Sequence, residues 1–299
     1  MTWINSFECM CYILSAALIA DILMKKNITE VKIFISGAIA GYVLELLAVR
    51  VTDIYYYNPA FWLNIGKEPA QFPVFGGLMW GGLTVCALRL ALRLDCGKIM
   101  TAAITGMLIV SMDILLDVAA IRLDGGFWTW EGRAITTDIT HHMFMSVIWV
   151  NFLGYMFETP MITWLALKDG EKGDNRTIGN HALAAVFNAL AGIVFVGIMS
   201  LLSLWLNTLT DEWFSCIGFI LIWAALAILL AIRFFNKRHY VQKREILSVV
   251  FFASMYVYCF AALFHLGIFK EAPWFLFFGL VLFLFTAFLG ISGSKSTKV

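Results

Sequence analysis

Charge is scarce in this chain. Lys, Arg, Asp and Glu make up 14% of it, against about 25% in ordinary globular proteins. A sequence that is 61% hydrophobic cannot cover its apolar residues with so few charges, so a water-surrounded globule is excluded. The net charge is only +1, which leaves no basic surface for nucleic acid. Five histidines are too few for a membrane di-iron oxygenase or desaturase. The six cysteines, Cys9, Cys11, Cys86, Cys96, Cys216 and Cys259, are scattered without CxxC spacing. They read as small membrane residues, not as a disulfide or zinc framework. No Gly-rich phosphate loop and no nucleophile elbow are present, so no cofactor and no metal are expected. The first apolar run lacks a basic leader and a convincing small-residue cleavage site, and reads as a retained helix.

Long apolar runs take the place of these motifs. Nine are long enough to cross a bilayer, at approximately 5–24, 32–51, 72–93, 99–120, 141–167, 181–206, 213–233, 246–268 and 272–292. The loops between them alternate in charge. With the N-terminus outside, the inner side collects 16 of the 21 basic residues and the outer side keeps Arg50, Lys67, Arg122, Arg133 and Lys270. The positive-inside rule therefore predicts an all-α, polytopic membrane bundle of about nine helices, N-terminus out and C-terminus in. The polar loop at 168–180 is the best internal boundary. It separates a half at 1–170, rich in polar intramembrane residues, from a half at 171–299 that completes the bundle.

The exceptional residues are acids inside the runs. Asp113 and Asp117 lie four apart, on one helix face. Glu45 sits about 9 Å of helical rise below the outer end of its own run, and Asp113 about 10 Å below the end of its run. Three carboxyls on two helices thus share one depth in the outer leaflet. Carboxyls at membrane depth usually face a cavity or a partner, and a cluster of them suits proton donation at one point and acceptance at another. Asp53 and Asp138 can approach from above, and Asn151 lies in the fifth run. The same acids are also compatible with magnesium held to a diphosphate, or with helix-to-helix hydrogen bonds alone.

Two outer loops are rich in aromatics: Asp53-Ile-Tyr-Tyr-Tyr57 with Trp62, and Phe127-Trp-Thr-Trp130. Tyr55, Tyr57, Trp128 and Trp130 read either as a headgroup belt or as the wall of a pocket for an apolar or cationic species. His141 and His142, placed at the start of the fifth helix, point in different directions and read as interfacial.

These residues carry a resemblance. Gly41-Tyr-Val-Leu-Glu45 with the Tyr55–Tyr57 stretch, Pro73 and Trp80 resembles the opening of the membrane carotenoid-biosynthesis hydratases. That family includes carotenoid 1,2-hydratases and bisanhydrobacterioruberin hydratase. Asp113-Ile-Leu-Leu-Asp117 with Trp128-Thr-Trp130 resembles its most recognisable block, and Trp149-Val-Asn151-Phe-Leu-Gly154 the next. Val118 stands where the family usually has proline, and Tyr155 where it usually has tryptophan. The likeness covers roughly residues 35–160.

The resemblance implies a hydro-lyase of a prokaryotic cell membrane. Its partner is a long-chain isoprenoid or carotenoid drawn from the lipid bilayer, and its reaction adds water to a terminal double bond after protonation. Asp113 or Asp117 would be the acid and Glu45 the base. Asp53, Tyr55, Tyr57, Trp128, Trp130 and Asn151 would meet substrate, cation or water. Three alternatives remain open: an isoprenoid cyclase on the same scaffold, a magnesium-dependent prenyltransferase using Asp113-x-x-x-Asp117, and a proton-coupled transporter.

Overall fold

The computed structural model describes residues 2–51, 55–130, 132, 134–170, 177–236 and 244–292. In a bilayer every backbone N–H and C=O must be paired within the protein, which restricts an apolar chain to helices or a closed barrel. This chain takes the helical solution. The long helices are α1 Trp3–Lys25, α2 Ile28–Val51, α3 Val74–Leu92, α4 Lys98–Ala120 and α5 Trp149–Gly170. They continue with α6 Ile178–Thr210, α7 Trp213–Asn236, α8 Ile246–His265 and α10 Pro273–Ile291, with the short α9 Ile268–Glu271 between the last two. Eight of them are long and apolar enough to span a membrane. The ninth, α5, has 22 residues and carries Glu158 and an internal Pro160. The protein is an all-α, polytopic integral membrane bundle.

Local sequence explains several helix ends. Thr2 caps α1, its hydroxyl accepting from the Asn5 amide, and Thr177 caps α6 in the same way. Such caps satisfy N–H groups that a first turn leaves open. Pro73 and Pro273 fall at helix starts, where a missing N–H costs nothing.

The centre of the bundle is α3 and α4, the two most enclosed helices. α2 packs on α3, α5 and α6, while α8 packs on α1, α3, α4 and α10. The α2–α3 seam is closed by small residues, the usual device where no hydrophobic drive separates helix from lipid. A Cβ on Gly81 would lie 2.4 Å from the Phe34 carbonyl oxygen. Large apolar side chains on the outer faces of α6, α7 and α10, such as Leu201, Leu221 and Phe277, are exposed. In water they would form an aggregating patch; in a bilayer they face their solvent.

Polar contacts separate the two ends. At one end Arg89 meets Glu30 (2.6 and 2.9 Å) and Asp21 (2.7 Å), and Lys32 meets Asp169 (2.6 Å). Arg93 donates to the Ser292 carbonyl, and the Glu245 amide donates to the Gly290 carbonyl (3.1 Å). This end holds the basic residues predicted to be inside, apart from Lys172, Arg176, Lys237, Arg238, Lys243, Lys295 and Lys298, which lie outside the described residues. At the other end the Asp124 carboxylate accepts from the Ile4 amide (2.9 Å), and Tyr258 donates to the Trp3 carbonyl (2.7 Å). The N-terminal residues and the C-terminal end of α10 therefore sit at opposite ends of the bundle.

The Arg89 side chain is 3% exposed and holds two carboxylates from α1 and α2. Removing one member of a buried ion cluster strands the others, at a cost of about 3 kcal/mol or more. Arg89→Leu is expected to lower the thermal unfolding midpoint in detergent sharply. Adding Asp21→Asn and Glu30→Gln should recover most of the loss.

One predicted element is different. The fifth helix begins at Trp149, not at 141. Before it, β5 Met143–Phe144 pairs with β6 Val147–Ile148 in a tight hairpin turned by Met145 (φ 49°) and Ser146 (φ 71°). His141 and His142 precede this hairpin in a loop, so the helical directions assigned to them do not apply.

Candidate functional site

The aromatic outer loops pair with each other. β1 Tyr55–Tyr57 runs antiparallel to β4 Trp128–Trp130, with Tyr55 opposite Trp130 and Tyr57 opposite Trp128. Between them in sequence, β2 Asn64–Ile65 pairs with β3 Phe72–Pro73. Alternation along a strand turns Tyr55, Tyr57, Trp128 and Trp130 to one face of this ribbon. Tyr55, Tyr57 and Trp128 are buried, and Trp130 stacks on Tyr55 with ring centroids 5.4 Å apart. The other face, with Tyr56 and Thr129, lines a separate outer groove. The ribbon is held from behind. Gln71 donates to the Tyr57 carbonyl (2.8 Å), Asn58 donates to the Gly126 carbonyl (2.9 Å), and Arg122 donates to the Val118 and Met145 carbonyls (2.7 and 3.0 Å). Burial brings the Arg122 guanidinium down to about 10. The aromatics thus form a lid on the bundle.

Under this lid the three acids share one cavity. Glu45 Oε2 accepts from the Tyr57 hydroxyl at 2.9 Å, and its Oε1 from the Tyr155 hydroxyl at 3.2 Å. Tyr55 donates in turn to the Tyr57 oxygen at 2.9 Å. Burial, and then the Glu45 charge, raises the Tyr55 and Tyr57 phenols well above their ordinary range, so both remain donors. Asp117 Oδ1 accepts from the Trp128 indole at 2.9 Å, and its Oδ2 from the Asn151 amide at 2.8 Å. Asp113 is one turn away on α4. Its shielded Oδ2 has no hydrogen-bond partner among the described residues.

Glycine makes part of this arrangement. A Cβ on Gly41 would lie 2.4–2.7 Å from the Trp80 side chain. Only glycine lets the indole lie against α2, one turn from Glu45, where its ring meets Tyr155 at 4.7 Å. On the other side, Gly106 leaves room for the Pro160 ring, which a Cβ would meet at 2.7 Å. That contact seats α5, and so Asn151 and Tyr155, against α4.

The cavity between these groups holds about 70 Å³ and is otherwise walled by residues such as Phe72, Met79 and Leu116. By volume it accepts a few water molecules or the end of a branched chain. A second, apolar cleft of about 340 Å³ lies between α2, α5 and α6, with Ala48, Gly154 and Val196 in its walls. Glu45, Tyr55 and Tyr155 line both spaces, and so form the partition between them. The cleft reaches half-exposed Leu204 on the outward side of α6. It opens sideways, toward the region lipid occupies.

The structure brings together Glu45, Asp113, Asp117, Tyr55, Tyr57, Trp128 and Asn151, with Trp130 at the edge of the lateral cleft. Asp53 lies outside the described residues. Asp138 is exposed on the outer loop and does not line the cavity. Sequence reasoning missed Tyr155 and Trp80 as neighbours of Glu45, and also Glu158. Glu158 is a further intramembrane carboxyl, 2% exposed, its Oε1 without a partner among the described residues, at the wall of the lateral cleft. Its position in the apolar run Tyr155–Thr163 was a visible signal.

Glu8 provides the contrast. It is fully buried, yet its oxygens accept from the Trp62 and Leu63 amides (2.7 and 3.1 Å) and from Tyr12 (3.1 Å). A carboxylate saturated by loop amides is a brace, whereas Asp113 has an oxygen to offer. No protein-family model, curated protein or solved structure matches this chain, so the geometry of the site carries the functional reading.

Proposed function

We propose that this protein hydrates a terminal carbon–carbon double bond of a long isoprenoid, a carotenoid in the first instance, in a prokaryotic cell membrane. One observation carries the reading: the three carboxyls are unequally dressed. Glu45 and Asp117 each accept two donated hydrogen bonds, as ionised carboxylates do. Asp113 has an oxygen without a partner among the described residues, beside an apolar cavity, where a proton can be handed to an alkene.

Asp113 gives its proton to the less substituted alkene carbon. The π pair forms the new C–H bond and leaves a tertiary cation. Tyr57, Trp80 and Trp128 line the same cavity, and aromatic rings attract positive charge. The Asp117 carboxylate, held by Trp128 and Asn151, adds fixed negative charge. Water attacks the cation, and Glu45 takes the proton that the oxygen releases. Return of that proton to Asp113 completes the cycle. The small cavity suits a chain end and water, while the lateral cleft suits the rest of an apolar chain arriving from lipid.

Prenyl transfer with magnesium is less well supported. Both Asp117 oxygens face N–H donors, which compete with a cation for the same lone pairs, and a magnesium site needs near-ideal oxygen geometry.

The test is the pigment profile of a carotenoid-producing host with and without the gene. Hydration is expected to give a product heavier by one water. An isomer of equal mass would make the enzyme a cyclase, and an unchanged profile across linear and end-modified carotenoids would remove the proposal. Turnover is expected to survive chelation. Activity lost in EDTA and restored by magnesium alone would recast Asp113 and Asp117 as metal ligands.

A further inference from the structure

The outer end of the bundle holds a second group of chemistry-bearing side chains. His141 and His142 precede the β5–β6 hairpin, and Asp211 and Glu212 turn α6 into α7. The histidine ring centroids are 3.8 Å apart. His141 Nε2 lies 3.3 Å from Asp211 Oδ2, and His142 Nδ1 lies 3.2 Å from Glu212 Oε2. One ligand atom from each of His141, His142 and Asp211 falls within 4.8 Å of the others.

We propose that His141, His142 and Asp211 bind a divalent transition ion of the zinc class, with Glu212 orienting His142. Two imidazoles and a carboxylate form a donor set that suits such ions and not magnesium or calcium. Ligands of a tetrahedral zinc with bonds of about 2.0–2.1 Å stand about 3.3 Å apart, so small side-chain shifts suffice to close the group around an ion. Glu212 supplies the carboxylate–histidine bond that commonly fixes a metal-bound imidazole. Trp213 stacks on His141 at 4.6 Å with the planes 4° apart, which sets the second ring.

The backbone supports the same reading. Asp211 (φ 49°) and Glu212 (φ 64°) are consecutive non-glycine residues in the left-handed region, a conformation that costs energy and clusters at functional sites. Both amides donate to the Asn207 carbonyl, and the turn so held presents both carboxylates to the histidines. A cleft of about 370 Å³ lined by His142, Asp211 and Glu212 gives an ion access.

A bound ion would clasp the α6–α7 turn to the hairpin that starts α5. That hairpin continues into Asn151 and Tyr155. Ile148, Val150 and Leu204 line both this cleft and the lateral cleft beside Glu45. The clasp therefore acts on the wall through which an apolar chain would pass, whatever reaction the acids perform.

The experiment uses full-length protein in detergent, purified without a histidine tag, and titrates zinc against a chromophoric chelator. One zinc per chain is expected. His141→Ala and Asp211→Asn should abolish stoichiometric binding, and Glu212→Gln should weaken it about tenfold or more. Cobalt should give the visible absorption of a tetrahedral site in wild type and not in His141→Ala, with matching gel-filtration profiles confirming that the variant is folded. Binding no stronger in wild type than in the His141→Ala/His142→Ala double variant would overturn the proposal and leave two histidine–carboxylate hydrogen bonds. These readouts do not depend on activity.

Discussion

Asp113→Asn is expected to abolish detectable product while the protein inserts and extracts normally. The substitution keeps size and polarity and removes the transferable proton. A general acid contributes about 10²–10⁴-fold in rate, so turnover should fall by at least that lower figure. The structure makes this a clean experiment, because Asp113 Oδ2 has no hydrogen-bond partner among the described residues and the amide breaks no described bond there. Asp117→Asn is less clean. Both its oxygens accept, from Trp128 and Asn151, so an amide group would set N–H against N–H on one side. It should lose activity and some stability together. Asp124→Asn is the control: its carboxylate caps α1 at the Ile4 amide, a role an Asn oxygen also fills, and the effect should be mild. If Asp113→Asn turns over near the wild-type rate at normal expression, the catalytic-acid assignment is wrong and the acids serve packing.

The parts of this site that were legible in sequence share a physical reason. An acid inside an apolar run is costly enough to stand out, and helical spacing then puts Asp113 and Asp117 on one face without knowledge of the fold. The depth of Glu45 followed from helical rise. What stayed hidden depends on long-range pairing. Tyr55 and Trp130 are 75 residues apart, and no local pattern says that their strands form one ribbon, so lid and headgroup belt were equal readings. Tyr155 and Trp80 escaped because half-polar aromatics are common in apolar helices, and their role exists only relative to Glu45. The fifth helix was drawn too long because Met143–Ile148 is apolar, and hydropathy does not register a hairpin turned by two left-handed residues. That error also concealed the histidine cluster, which depends on the loop meeting a turn 70 residues away.

Glu45→Gln is expected to fail in a different way from Asp113→Asn, and the difference separates base from brace. With Asp113 intact the alkene is still protonated. Without a carboxylate to take the proton from attacking water, capture slows, and the cation instead gives a neighbouring carbon-bound proton to the Asp113 carboxylate, the C–H pair forming the new double bond. The variant should make little hydrated product, with turnover to it down by about 10² or more, and should accumulate an isomer of the substrate with a shifted double bond. Tyr57→Phe and Tyr155→Phe each remove one donor from Glu45. A hydrogen bond to a charged group is worth about 1.5–3 kcal/mol, so each should slow hydration by roughly tenfold or more without changing the product. A brace would behave otherwise. Glutamine keeps an acceptor for one phenol, and the other hydroxyl can rotate to accept from its amide, so helix α2 would stay tied to the lid and hydration would continue. Wild-type product at near wild-type rate from Glu45→Gln would therefore return Glu45 to structure and leave Asp117 as the group that receives the proton from water.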